Sequence, residues 1–399
     1  MRHFILGLFL SLGLAGGAHG QAAQPSELSA ILAEQGVSGG LDYAAEQENS
    51  ARKSFMLGAL HTLDAVQYML HSRYENYSGR LPLVPGGQTV LRVNPNSEFD
   101  PAFIEIGLTG ALERLAEAER ALADISEDEF ALTIDLNDVW FDVDKDGVRA
   151  PDESMGMFMA GFFEMRRAAD VELPIVQFDR ADAQWLLAYT RVMQGMAEMV
   201  LSVDPTSAIK KVTDGSTRMR ELGVLERDPI FGDENIIDTI AIIVTALHGQ
   251  PDVARTQKAL THFQGMMIAA NKEFWRLVAL EEDDQAEWLP NPNQTSAFGV
   301  PVTKEVADGW QDVLAELDAV LAGEALVPFW RIEGRDNTQV GININKLLTN
   351  PGDFDLLLMV HGAAFAPFME KGRVVDTDVM QRFSRMTGGQ AGMFALWFN

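Results

Sequence analysis

Four acidic residues stand at fixed intervals in the segment that runs from Asp142 to Glu153. The first three, Asp142, Asp144 and Asp146, alternate with other residues, and a glycine follows the third. Carboxylates at this spacing converge when the chain turns sharply, and oxygen ligands of this kind bind hard cations such as Ca²⁺. The segment therefore predicts a calcium site. No other part of the sequence indicates a chemical partner so specifically.

Each position of this segment has a predicted role in holding the ion. We expect ligands from the side chains of Asp142, Asp144 and Asp146, the backbone carbonyl of Val148, and both carboxylate oxygens of Glu153. The glycine permits the turn, and a water would fill the ninth position, where an alanine offers no ligand. A trivalent lanthanide would fit as well as Ca²⁺. The alternative interpretation is a solvated acidic turn that holds no metal.

The segment resembles EF-hand-type calcium loops, and the resemblance covers only these residues and the helix expected after Pro151. Two features depart from paired EF-hands: residues 131–141, before the loop, alternate like a strand, and Arg149 stands where an apolar residue is usual. The spacing also occurs only once in the chain. The resemblance therefore implies a single structural calcium loop, as in dockerin-like modules, and not a cooperative sensor.

Catalytic signatures are missing from the sequence. It contains no H-E-x-x-H, G-x-S-x-G, P-loop or G-x-G-x-x-G motif, and the lack of cysteine excludes thiol catalysis. Asp355, His361 and Glu370 are the best candidates for an acid–base group, although a capped buried helix explains the same residues. We favour a non-catalytic binding or scaffold protein and leave the question of an enzyme open. The alternative is a calcium-stabilised periplasmic hydrolase that acts on envelope glycan or peptide.

Helical periodicity dominates the rest of the chain. The clearest helix is Asp182–Leu201, whose apolar stripe we expect in the core, with Asp179 as its cap. Further helices are predicted at 25–34, 51–74, 101–125, 233–248, 253–280, 302–323 and 376–386, and strand-like pieces at 130–141, 329–332 and 340–344. We expect an exposed loop at 281–296 and a packed apolar end at 394–399. The fold class predicted is mainly α: a large helical domain with small extended segments and one calcium loop.

The first twenty residues predict a signal peptide. Arg2 precedes an apolar run, Phe4–Leu14, and the small residues Ala18–Gly20 suit cleavage before Gln21. Residues 21–399 would then form a single mature domain, with a division into two lobes as the alternative. An exported chain without cysteines favours a periplasmic location, or secretion.

The formal net charge of −27 limits the partners. So acidic a surface repels nucleic acid and anionic lipid and attracts cations. After removal of the signal peptide, no uncharged apolar segment is long enough for stable membrane insertion. A metal cation is the expected partner, and the sequence does not specify a protein or small-molecule partner.

Three other segments are similar to those of uncharacterised exported bacterial proteins. They are Phe178–Asp182 with Trp185 and Tyr189, Gly341–Asn345, and Phe354–Leu356. The similarity is loose, and it implies no activity.

Overall fold

The structure is a computed structural model that describes residues 24–76, 94–123, 125–162, 173–223, 234–282, 286–299, 302–332 and 339–387. The predicted signal peptide and the apolar end at 394–399 lie outside these residues. Within them the chain is mainly helical with a few short strands, which confirms the predicted fold class. Among the described helices, none is long and apolar enough to cross a membrane.

Most of the segments predicted to be helical contain a helix in the structure. They are α1 (Glu27–Glu46), α2 (Ala51–Asn76), α3 (Phe103–Ala123), α4 (Met155–Phe162), α5 (Arg180–Leu201), α6 (Pro205–Glu221), α7 (Glu234–Ala246), α8 (Val253–Thr261), α9 (Ile268–Val278), α10 (Lys304–Ala322), α11 (Ile344–Thr349), α12 (Leu356–His361) and α13 (Thr377–Met386). The segment predicted as one helix at 253–280 contains a π-helical turn, His262–Met267, between α8 and α9. A π turn inserts one extra residue into a helical turn, and apolar periodicity does not reveal it.

Helix α5 lies at the centre of the fold and packs against α3, α8 and α9. Its start is capped as predicted, because the Asp179 side chain accepts hydrogen bonds from the amides of Ala181 and Asp182. The predicted core stripe is buried at Trp185, which stacks on Tyr189 with ring centroids 5.4 Å apart. The stripe leaves the core near its end, where Met196 is exposed.

In the part of the chain that the structure describes, six short strands form three antiparallel pairs. They are β1 (Leu132–Asp135) with β2 (Ile175–Phe178), β3 (His248–Gly249) with β5 (Phe354–Asp355), and β4 (Val340–Ile342) with β6 (Met369–Lys371). β1 and the 3₁₀ turn that follows it lead into the acidic loop, so the prediction of a non-helical segment before the loop is confirmed. Residues 329–332 were predicted to be strand-like but form a turn, so that prediction is wrong.

The described residues of the segment 281–296, which are 281–282 and 286–296, form a loop as predicted, but the prediction that this loop is exposed is wrong. Glu287, Leu289 and Asn291 are buried. The Asn291 side-chain amide donates to the carbonyl oxygens of Val278, at 2.9 Å, and Glu281, at 3.1 Å. Internal hydrogen bonds of this kind let a polar loop pack against the body of a protein. Sequence polarity alone therefore gave the wrong expectation.

Candidate metal centre

The acidic loop brings three of its predicted ligands together. One carboxylate oxygen from each of Asp142, Asp144 and Asp146 lies within 4.8 Å of the other two. Two backbone conformations produce this convergence, since Lys145 has φ 59° and Gly147 has φ 71°. The left-handed region reverses the chain within a few residues, and glycine adopts it without steric cost. We call these three aspartates the Asp triad.

Hydrogen bonds inside the loop hold the triad in place. The amide of Gly147 donates to Asp142 Oδ2 at 3.1 Å, and the amide of Val148 donates to Asp146 Oδ1 at 2.7 Å. Each carboxylate thus binds an amide further along the chain, which fixes its direction. The Val148 side chain is exposed. The role predicted for its carbonyl oxygen stays a prediction.

Glu153 occupies a different position from the triad. It is 2% exposed, and its oxygens accept the amides of Val143 and Ala150, each at 2.9 Å. It is not one of the three residues whose ligand atoms converge within 4.8 Å. Its carboxylate closes the loop by joining residues from both of its ends. The bidentate role predicted for Glu153 stays a prediction.

Helix α2 anchors the beginning of the loop. The Asp142 amide donates to the side-chain oxygen of Gln67 at 2.9 Å, and His71 Nδ1 donates to the carbonyl oxygen of Val143 at 2.8 Å. Gln67 and His71 are one helical turn apart and so face the loop together. The beginning of the loop is therefore fixed against a rigid element.

Aromatic residues beside the loop join it to the core. The Trp140 indole donates to the carbonyl oxygen of Leu32 in α1 at 2.8 Å, and both Trp140 and Phe141 are about 1% exposed. Phe141 also makes an edge contact with Phe158 of α4, with centroids 5.3 Å apart. The loop thus lies between α1, α2 and α4, and a change in its shape acts on all three.

One buried oxygen of the Asp triad lacks a hydrogen bond. Asp142 Oδ1 is inaccessible to solvent and has no donor among the described residues. A buried carboxylate oxygen without a donor is costly, and a cation would satisfy it. This oxygen belongs to a residue of the triad, and the donor set of hard carboxylate oxygens fits a Ca²⁺ ligand shell.

A second acidic group lies where α5 meets the loop after α9. One carboxylate oxygen from each of Asp179, Glu281 and Glu287 lies within 4.8 Å of the other two. These residues could also hold a cation. The sequence does not group them, because Asp179 fits the pattern of a helix cap and the two glutamates fall in a segment predicted to be an exposed loop. Spacing could not have united residues about a hundred positions apart.

Asp182 adds a fourth carboxyl to this second group. Burial, and next the charge of Asp179, raise the pKa of Asp182 well above its usual value, and the charges of Glu287 and Glu281 act in the same direction. Its Oδ2 accepts the Asp179 amide at 3.0 Å. A protonated carboxyl relieves repulsion among neighbouring acids, and a bound cation would do the same.

The three residues considered as an acid–base group have separate partners. Asp355 caps α12 by accepting the Leu358 amide at 2.9 Å. Glu370 pairs with Lys346, and the backbone carbonyl of His361 accepts a hydrogen bond from Arg331. The contacts made by the described residues therefore give these three no common site.

Comparison of the chain with protein-family models, with curated proteins and with solved structures finds no match in any of the three.

Proposed function

We propose that this protein is an exported calcium-binding protein in which the loop from Asp142 to Glu153 holds one structural Ca²⁺, and that it works as a non-catalytic binding or scaffold protein. The observation that carries the proposal is the unsatisfied Asp142 Oδ1, a buried oxygen on a residue whose carboxylate converges with those of Asp144 and Asp146. A cation at this point would neutralise the triad and satisfy the orphaned oxygen.

The ion would act as a cross-link between elements of the fold. The loop is hydrogen-bonded to Gln67 and His71 of α2. At its other end Glu153, just before α4, accepts the amide of Val143. A cation that cross-links the triad would hold these elements in one arrangement. In a chain without disulfides, such a cross-link is a source of stability that packing alone does not supply.

Two states of the loop follow from the position of Glu153. Its two oxygens accept amides and are not part of the converging group, so Glu153 can chelate the ion only if its carboxylate moves toward the Asp triad. The calcium-bound loop would then differ from this one at the amides of Val143 and Ala150. If Glu153 stays in place, water would complete the shell around the Asp triad.

The proposal is tested by thermal unfolding of chelated protein with and without added Ca²⁺. Extracellular calcium modules bind with Kd values of about 10⁻⁴ to 10⁻³ M. At a free Ca²⁺ concentration a hundred times the Kd, binding stabilises the folded state by about 2.7 kcal/mol. We expect Tm to rise with Ca²⁺ and to return to its starting value after chelation. An unchanged Tm at millimolar Ca²⁺ would argue against a structural ion in the loop.

A further inference from the structure

The π turn His262–Met267 packs closely against the central helix α5. At this contact Gly195 of α5 faces Phe263, and a Cβ on residue 195 would lie only 2.4 Å from the phenyl ring. Each of these two residues has a polar neighbour in the chain, Gln194 and His262. We call these four residues the α5–π joint. A π turn widens a helix locally, and such turns are frequent at functional sites.

Two buried polar atoms of the joint lack a hydrogen bond. Gln194 is 3% exposed, and its Oε1 has no donor among the described residues. His262 Nδ1 is also inaccessible to solvent and has no partner in the same part of the chain. A buried polar atom without a partner destabilises the folded state, so these two atoms weaken the contact between α5 and the π turn.

Ion pairs surround the joint. Arg191 and Glu198 lie one helical turn before and after the joint glutamine, on the same face of α5. Arg191 Nε donates to Glu119 Oε1 of α3 at 3.0 Å, and Glu198 accepts from Arg255 of α8 at 2.7 Å. Lys258 Nζ, also from α8, lies 3.8 Å from Glu198. These groups supply three cations and two carboxylates, so a further positive charge in the joint is unfavourable.

On the remaining sides of the turn, α9 and α10 contribute little charge to the joint. Lys272 of α9 forms an ion pair with Asp318 of α10, and both side chains are partly exposed, so water screens their charges. Gln264 of the turn donates to the backbone carbonyl of Leu321 at 3.4 Å, which is a neutral contact. The charges that matter for the joint are therefore those of α3, α5 and α8.

Burial lowers the pKa of His262 below its usual value. The charges of Glu119 and Glu198 act in the opposite direction, and those of Arg191 and Lys258 add to the lowering. The closed joint thus favours the neutral ring. A neutral histidine has one ring nitrogen that donates and one that accepts, whereas a protonated ring needs an acceptor at both.

We propose that the α5–π joint is an acid-sensitive contact: when His262 takes up a proton, the π turn separates from α5 and water enters between them. Water in the opened joint would solvate the charged ring and would also donate to the oxygen of Gln194. The rest of α5 stays in place, because apolar packing holds it at buried residues such as Trp185 and Leu187.

The direction of the pH dependence follows from the buried ring. A ring in the closed joint binds a proton less readily than a ring in water, whose pKa is about 6.5. The closed joint is therefore fully stable above about pH 6.5 and loses stability as pH falls from there through the lowered pKa. The loss is up to about tenfold in the closing equilibrium for each unit by which the pKa is lowered.

Amide hydrogen exchange at pH 5 and pH 7.5, corrected for the intrinsic effect of pH on exchange, tests the proposal. We expect the amides of residues 262–267 to lose protection at pH 5. His262→Gln should abolish this loss, because glutamine does not titrate. His61→Gln, at another half-buried histidine on α2, is the matched control and should keep it. Equal protection at both pH values in the unaltered protein overturns the proposal, as does an unchanged loss in His262→Gln.

The unaltered protein gives a second test that does not depend on how well His262→Gln folds. The ring signal of His262, followed by NMR, should titrate with the same midpoint as the loss of protection in the π turn. Different midpoints overturn the proposal, because a proton bound elsewhere would then open the turn.

Gln194→Leu tests the role of the unsatisfied oxygen. Leucine removes that oxygen at nearly constant volume, so the protection of the π turn at pH 7.5 should rise by about tenfold. The loss of protection at pH 5 should remain, since His262 still titrates. Lower protection of this variant at pH 7.5 contradicts the proposal, because the oxygen would then contribute to the closed joint.

Discussion

The carboxylate of Glu153 accepts the amide hydrogen of Val143 at 2.9 Å and so joins the two ends of the acidic loop. Its second oxygen accepts the amide of Ala150 at the same distance. Because Glu153 is buried, these two amides depend on it for their hydrogen bonds. Glu153 therefore stabilises the loop in the absence of any ion, while the Asp triad presents oxygens to a cation.

Glu153→Gln should destabilise the protein even when a chelator is present. Glutamine has one oxygen acceptor in place of two, so one buried amide loses its partner, at a cost of about 1–3 kcal/mol. Urea unfolding in a chelating buffer measures this loss. Glu48→Gln, at an exposed position between α1 and α2, is the matched control and should change stability by less than about 0.5 kcal/mol. Equal stability of Glu153→Gln and the unaltered protein would show that the loop closure contributes nothing.

Asp144→Asn should weaken Ca²⁺ binding at least tenfold, about 1.4 kcal/mol, because it removes one charge from the triad. The fold should tolerate the change, since asparagine is nearly isosteric with aspartate. Asp152→Asn removes the same charge from the same loop, but at a residue outside the triad. The Ca²⁺ affinity of this variant should stay close to that of the unaltered protein. Isothermal titration compares the two, and equal losses would mean that only the total charge of the loop matters.

Gly147→Ala isolates the contribution of the loop turn. A Cβ at this position meets nothing within 4 Å, so the φ of +71° is the only obstacle, and we expect a loss of about 1–2 kcal/mol. Gly215→Ala, in α6, also meets open space but has ordinary helical geometry, and it should gain about 0.5–1 kcal/mol. Chemical unfolding gives both values. If the two substitutions shift stability in the same direction, the left-handed turn is not a constraint.

Local patterns in the sequence predicted local structure well. The cap at Asp179 is confirmed, because it depends on a side chain that binds amides two and three residues along the chain. The convergence of the Asp triad follows from its spacing in the same way. In each case the partners are neighbours in sequence, so a short motif contains all the information that the structure uses.

Contacts between distant segments could not be predicted. The group formed by Asp179, Glu281 and Glu287 depends on how the loop after α9 packs beside the start of α5. Likewise, β3 pairs with β5 across about a hundred residues. In such cases each partner has an ordinary local explanation of its own, such as a helix cap or an acidic loop. Only the tertiary packing shows that the residues meet.

Asp182→Asn should raise stability at neutral pH. Because burial raises the pKa of Asp182, the folded state keeps a proton that the unfolded state loses above about pH 4. The free energy of unfolding therefore falls as pH rises from about 4 through the raised pKa, and the loss is complete above it. Asparagine keeps an acceptor for the Asp179 amide and does not ionise, so the fall in the free energy of unfolding should be absent from the variant. That fall amounts to about 1.4 kcal/mol for each unit by which the pKa of Asp182 is raised.

Unfolding of Asp182→Asn and the unaltered protein across pH 4 to 8 measures the effect. The stability curve of the variant should be flatter and should lie higher at the alkaline end. Asp312→Asn, at an exposed position on α10, serves as the control and should leave the curve unchanged. A variant with the same pH slope as the unaltered protein would show that Asp182 is already ionised throughout this range.

The most direct measurement is isothermal titration of chelated protein with Ca²⁺, carried out on the unaltered chain and on Asp142→Asn. We expect one ion per chain for the unaltered protein and the loss of that binding in Asp142→Asn, because Asp142 belongs to the triad and carries a buried oxygen without a hydrogen-bond donor. Asp179→Asn, in the second acidic group, should keep the ion. Absence of binding to the unaltered chain, or binding that survives in Asp142→Asn and disappears in Asp179→Asn, would contradict the assignment of calcium to the loop from Asp142 to Glu153.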